Sequence, residues 1–148
     1  MISKERVRDE LVKIILSDGA QEGIILLKDT GLLHYIIPEL EEGIGVSQNK
    51  HHIYTVFDHN LYSLGYAVKY GFNLEVCLAA LLHDVAKPRT KRGEGPDATF
   101  YGHDVVGAKV TAQILERLKF SREIVEKVVT LVRYHLFYYN VGEVTMPS

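Results

Sequence analysis

The stretch Leu78-Ala79-Ala80-Leu81-Leu82-His83-Asp84-Val85-Ala86-Lys87-Pro88 decides the reading of this chain. An apolar run leads directly into a histidine and a carboxylate, and a lysine and a proline come next. His83 lies three, four and seven residues after Ala80, Ala79 and Val76, so at helical spacing it belongs to the buried stripe. Asp84 follows Leu81, Ala80 and Cys77 at the same offsets and also leans inward. An isolated buried carboxylate is costly and needs a partner. The spacing predicts a helix from a cap at Asn73 through Leu74 to about Ala86, stopped by Pro88.

Outward from this helix the apolar spacing stays near 3.6 residues and strand-like alternation is almost absent, so the fold class is all-α, with about seven helices. Ser3 caps a helix to about Leu16, and a second runs from near Gln21 to Gly31. A short turn spans Leu32 to Ile36, closed by Pro38. Glu41 to His51, with Gly43 and Gly45, reads as a loop and as the internal boundary between segments 1–45 and 46–148 of a single domain. A helix from Tyr54 to Tyr70 ends at Gly71. Lys87 to Gly102 reads as a sixteen-residue loop, a length that in a compact domain points to function. Helices follow from His103 to Leu118 and from a Ser121 cap to about Tyr138, and Val141 to Ser148 read as frayed.

Two further histidines repeat the pattern. His103 precedes Val106, Gly107 and Val110 at three, four and seven residues, and His135 follows Val132, Leu131 and Val128 likewise. His59, one turn after Thr55 and Val56, sits on a more mixed face with Tyr62 and Ser63. Three histidines and a carboxylate on separate apolar faces converge in the interior, and a divalent cation satisfies them together. Manganese, iron, nickel, cobalt, zinc and magnesium all accept such donors. The candidate metal ligands are therefore His59, His83, Asp84, His103 and His135; if His103 and His135 complete a second position, Asp84 bridges two ions, and if they are only core histidines they are neutral and hydrogen-bonded. Gly102 and Gly107 are expected to let the His103 helix approach closely. His34, His51 and His52 show no such pattern and read as surface residues.

The order of His59 and the pair His83-Asp84, in Leu-Leu-His-Asp-Val-Ala-Lys-Pro, resembles the HD superfamily of metal-dependent phosphohydrolases. The resemblance implies a helical bundle whose metal is held by the first histidine, the His-Asp pair and a later aspartate. Ser3 to Leu40, with Glu-Arg-Val-Arg-Asp-Glu-Leu and Thr-Gly-Leu-Leu…Pro-Glu-Leu, is similar to the neck of bacterial tRNA nucleotidyltransferases. Tyr54-Thr-Val-Phe-Asp-His59 and Thr99-Phe-Tyr-Gly-His-Asp-Val-Val-Gly-Ala108 resemble the HD portion of that tRNA nucleotidyltransferase/poly(A) polymerase family. A Gly-Ser segment followed by paired aspartates, which marks the catalytic head, is missing, so this chain alone is not expected to add nucleotides. The later aspartate has no counterpart, since none occurs after Asp104; Glu143 is the nearest substitute.

The implied activity is hydrolysis of a nucleotide, a phosphodiester or a 2′,3′-cyclic phosphate end. Asp84 is placed to take a proton, and Lys87 to stabilise charge on phosphoryl oxygens. Arg89, with Lys91 and Arg92 nearby, adds phosphate-binding charge. The implied partners are a nucleotide or RNA-end phosphate, and tRNA. The alternative is a non-catalytic RNA-binding module, or a fragment of a tRNA nucleotidyltransferase/poly(A) polymerase-like protein. Phe100, Tyr101, Tyr134, Phe137, Tyr138 and Tyr139 could stack on a base, but packing against the core is the preferred reading.

Composition bounds these readings. The 148 residues are 47% hydrophobic and 24% charged, which is ordinary globular composition. No apolar run approaches a bilayer span, no apolar signal core opens the chain, and the single Cys77 suits a reducing cytoplasm. Net charge is −2, but residues 1–45 carry nine acidic and five basic side chains whereas residues 85–134 carry six and ten. Such a distribution fits a local anionic ligand better than a long nucleic-acid track.

Overall fold

A computed structural model describes residues 2–49 and 53–135. The chain there is helical, as expected, and its β structure among the described residues is an antiparallel bridge between Arg92 and Thr99. His51, His52, Phe137, Tyr138, Tyr139, Glu143 and the stretch 141–148 lie outside the described residues.

Helix α1 (Lys4–Ile15) starts where the Ser3 side chain accepts from the Arg6 amide at 3.2 Å, and it buries Leu11 and Ile15 one turn apart. Helix α2 (Ala20–Asp29) buries Ala20 and Ile24 with the same spacing. Two four-residue helices follow, α3 (Leu33–Ile36) and α4 (Pro38–Glu41). Pro38 opens the second of these instead of closing a turn, because a proline in the first helical turn gives up an amide that has no acceptor there.

Helix α5 (Val56–Lys69) is capped by Thr55 and carries His59 and Leu64 on its buried face. Helix α6 (Leu74–Leu82), capped by Asn73, is apolar around most of its circumference. It packs against α1, α5 and α9 (Arg122–Arg133). Helix α8 (His103–Arg117) lies along α9. A continuous core joins Leu11 and Ile15 of α1 to Leu78 and Leu81 of α6 and Val128 of α9.

Two further expectations are corrected. Helix α6 ends at Leu82, four residues before Ala86, and residues 83–86 form tight turns with Val85 N donating to Leu82 O and Lys87 N to Asp84 O, both 3.1 Å. Pro88 then falls in the first turn of α7 (Lys87–Thr90), where its missing amide costs nothing. The stretch 87–102 is thus no open loop: it holds α7, the Arg92–Thr99 bridge and a 3-10 turn at Gly95–Asp97.

Candidate metal centre

The tight turn after α6 sets the His83 ring and the Asp84 carboxylate side by side at the centre of the bundle. His59 reaches them from α5, His103 from the first residue of α8, and His135 from just beyond α9. All five side chains are buried.

Their arrangement has an internal order. Asp84 Oδ2 lies 3.2 Å from His59 Nε2 and 3.1 Å from His83 Nε2, and those two nitrogens are 3.1 Å apart. Asp84 Oδ1 lies 3.4 Å from both His103 Nε2 and His135 Nε2, which are again 3.1 Å apart. The carboxylate therefore presents one oxygen to each of two histidine pairs, as two sets of three that can each hold a metal ion.

The outer ring nitrogens show what these sets require. His83 Nδ1 lies 2.7 Å from Ala80 O, His103 Nδ1 2.9 Å from Phe100 O, and His135 Nδ1 2.6 Å from Val132 O. A carbonyl only accepts, so each Nδ1 carries the hydrogen, and in the neutral ring Nε2 is left with a lone pair. With both rings in that form, the Nε2 atoms of His103 and His135 would face each other and a carboxylate oxygen as acceptors inside a buried site. That is a surplus of acceptors, and a cation resolves it. Ligands held about 2.0–2.2 Å from one ion at roughly right to tetrahedral angles stand about 3 Å apart, which is the spacing in both sets. The carbonyl contact to the far nitrogen is also the usual way a ligating imidazole is oriented. The residues fit a divalent metal.

Electrostatics agree. Burial holds the His83 ring below its usual pKa even with Asp84 adjacent, which favours the neutral, ligating form. Burial alone would raise the Asp84 carboxyl. Positive charge beside the carboxylate, on a protonated His83 and on the Lys87 ammonium, outweighs it and holds Asp84 well below the ordinary carboxylate range; with the imidazoles neutral, a bound cation would take over the part of that charge that Lys87 does not supply.

Lys87 Nζ lies 3.3 Å from Asp84 Oδ2, on the His59–His83 side, and 5.2 Å from the centre of the Phe100 ring. Gln48, a buried residue that sequence reasoning missed, accepts from Lys87 Nζ at 2.8 Å. Nothing in its local sequence marks it, since loop residues carry no period. Arg89 is engaged elsewhere: its guanidinium forks onto both Glu42 carboxylate oxygens at 2.8 Å. Phe100 is packed as expected, but Tyr101 is 83% exposed and Tyr134 52%, so the packing reading fails for those two. The reason is position: Tyr101 sits in the turn before α8 and Tyr134 on the outer side of the α9 end. Gly102 is also corrected. It adopts φ +80° with open space where a Cβ would stand, so it serves the turn's backbone and not a close approach. Gly107 does lie close, its Cβ position 3.5 Å from Val132 and 3.7 Å from the His83 carbonyl.

Among the described residues no helix is long and apolar enough to cross a membrane. Residues 1–44 match the family described as "Probable RNA and SrmB-binding site of polymerase A", and residues 56–145 match the HD domain. The chain is 42% identical over 137 residues to an A-adding tRNA nucleotidyltransferase of Deinococcus radiodurans, covering 89% of this chain and 31% of the relative. A CC-adding tRNA nucleotidyltransferase of Thermus thermophilus is 38% identical over 139 residues, covering 90% and 32%. A multifunctional CCA protein of Neisseria gonorrhoeae is 30% identical over 143 residues, covering 94% and 34%. The chain thus spans about a third of the length of these curated relatives. It is homologous to tRNA nucleotidyltransferases over most of its own length, and, with the HD match taking in more than half of its residues, it belongs to the HD domain family.

Proposed function

We propose that this chain is a metal-dependent phosphohydrolase acting on a nucleotide, a phosphodiester or a 2′,3′-cyclic phosphate end. One observation carries the reading: each Asp84 oxygen faces two imidazole nitrogens, and a buried ammonium stands beside one of those oxygens. His59, His83 and Asp84 would hold one ion, and Asp84, His103 and His135 a second. A divalent cation bound there supplies Lewis acidity and lowers the pKa of coordinated water. Asp84 would act first as a ligand shared by the two sets, and could take a proton only on an oxygen that is not then holding an ion. Lys87 is placed to neutralise charge on a phosphoryl oxygen. Arg89 can join only if its pair with Glu42 opens.

Turnover of bis-p-nitrophenyl phosphate with Mn²⁺ or Ni²⁺, abolished in Asp84→Ala, is the expected result. No turnover with any divalent metal would sink the reading. It would favour the second one, an RNA-holding module, which is motivated by the match of residues 1–44 to an RNA-binding family and by relatives named for tRNA. Salt-dependent tRNA binding without hydrolysis would mark that outcome. We further propose that segments 1–45 and 46–148 work as one unit.

A further inference from the structure

Three basic side chains in and just after α7, Lys87, Arg89 and Lys91, reach back to the segment that joins α4 to α5. Arg89 pairs with Glu42, Lys91 Nζ donates to Ser47 at 3.0 Å, and Lys87 Nζ donates to Gln48. Only Lys87 also touches the carboxylate shared by the two histidine pairs. Its ammonium has three hydrogens to donate and a side chain that is almost wholly buried.

Gln48 is 3% exposed, and its amide cannot turn over. Nε2 donates to the Tyr54 carbonyl at 3.0 Å, so Oε1 is the atom that accepts from Lys87. Tyr54 precedes Thr55, the cap of the helix that carries His59. The same segment is fastened to that helix by its backbone: Val56 N donates to Val46 O at 2.9 Å and Phe57 N to Gly43 O at 3.1 Å. A Cβ at Gly43 would stand 3.0 Å from the Phe57 nitrogen, so a side chain there would push this approach apart by a few tenths of an ångström. Gln48 therefore ties the lysine of one ligand-bearing element to the start of another. Among the described residues, the acceptors of Lys87 are Gln48 Oε1 and Asp84 Oδ2. Two of its three donor directions are thereby taken.

We infer that Gln48 is a positioning residue: it aims the Lys87 ammonium so that the third N–H meets a substrate phosphoryl oxygen on the His59–His83 side of Asp84, not on the His103–His135 side. The substrate part rests on the phosphohydrolase reading above. The placement of Lys87 does not, and it can be tested separately.

The first test is acetylation of the native protein, read at each lysine by mass spectrometry. Gln48→Met keeps the size of the side chain and removes both hydrogen bonds. It should speed acetylation of Lys87 about fivefold, the factor given by losing one hydrogen bond of about 1 kcal/mol, while Lys91, held by Ser47, stays unchanged. An unchanged Lys87 rate overturns the inference, because a merely space-filling glutamine is replaced well by methionine. A rise at every lysine reports unfolding, and Gln48→Glu then decides. That variant keeps an oxygen for Lys87 and loses the donor to Tyr54. Lys87 stays protected if the inference holds, and becomes reactive if Gln48 acts only through Tyr54.

The second test is binding of inorganic phosphate to the Mn²⁺-loaded protein. Gln48→Met and Lys87→Ala should each weaken it, and the double variant should be no weaker than Lys87→Ala alone. Additive losses overturn the positioning role. If Lys87→Ala leaves phosphate binding intact while acetylation behaves as expected, the phosphoryl reading fails and the placement of Lys87 stands.

Discussion

Asp84 shows how much a single side chain can carry. Its two oxygens serve two histidine pairs, so Asp84→Ala removes a ligand from both sets at once, whereas His103→Ala removes one from a single set. Elemental analysis should find metal lost almost completely in Asp84→Ala and lowered per chain in His103→Ala, with the helical circular dichroism of both retained. A bound ion also stabilises the fold by mass action, by about 2.7 kcal/mol at a hundredfold excess over Kd. EDTA should therefore lower the melting temperature of the wild type and leave Asp84→Ala unmoved; equal shifts would mean that the cluster holds no ion. Cys77 makes a contrasting case. Burial pushes its thiol up, and the side chain sits in the core, so a thiol reagent should label it only after denaturant is added. His83, Asp84, His103 and His135 are legible in the sequence because polar residues at helical spacing among valines and alanines cannot avoid the interior. His59 is less so, since its stripe is mixed. Gln48 is not legible at all: its burial comes from the meeting of its segment with α7, a contact that no local pattern encodes.

At the scale of elements, the six longer helices are set by apolar spacing and caps, with Ser3, Thr55, Asn73 and Ser121 each accepting from an amide in the first turn. The short pieces are not legible in that way. Pro38 and Pro88 both read as stops, yet each stands in the first turn of a four-residue helix, because a proline constrains the residues before it more than those after it. The ties between elements are equally hidden. Arg117 of α8 reaches across to Glu39 of α4 with contacts of 2.7 and 2.9 Å, and also donates to the Ile36 carbonyl at 3.1 Å. Burial raises the Glu39 carboxyl, but its hydrogen bonds to Arg117 more than offset this, so its pKa is lowered in the folded state. A group whose folded pKa is depressed contributes stability above its unfolded pKa and loses it as pH falls through the folded value. The gap in urea stability between wild type and Glu39→Gln should thus be full at pH 7 and shrink as pH drops below about 4.3, the unfolded glutamate value. Arg117→Ala should cost about 1.5–3 kcal/mol at pH 7, the range for hydrogen bonds to charged groups. A gap that widened on acidification would refute this account.

At the scale of the molecule, the boundary near residue 45 separates two sequence segments without separating two cores. Leu11, Ile15, Ile24, Leu33, Ile37 and Leu40, all from the first segment, are fully buried in the same cluster as Leu64, Leu78 and Leu81 from the second. Full burial of such a side chain is worth about 1.5–3 kcal/mol, so six of them are comparable with the whole net stability of a domain, about 5–15 kcal/mol. Polar ties run the same way, since Glu39 and Glu42 are held by Arg117 and Arg89, and Arg8 donates to the Lys119 carbonyl at 2.6 Å. A chain cut to residues 46–148 would expose the faces of α5 and α6 that α1 and α2 cover. We therefore expect urea unfolding of the full chain to be a single transition, with helical circular dichroism and Cys77 labelling changing together. Residues 46–148 alone should lose cooperative unfolding and aggregate or bind a hydrophobic dye. Two separate transitions in the full chain, or a cooperative fold for 46–148 with its metal content intact, would show that the first segment rests on the bundle without sharing its core. A single transition would also mean that whatever engages α1 and α2 acts on the same body as His59, His83 and Asp84. The segment carrying Gln48 lies on the stretch of chain that joins them.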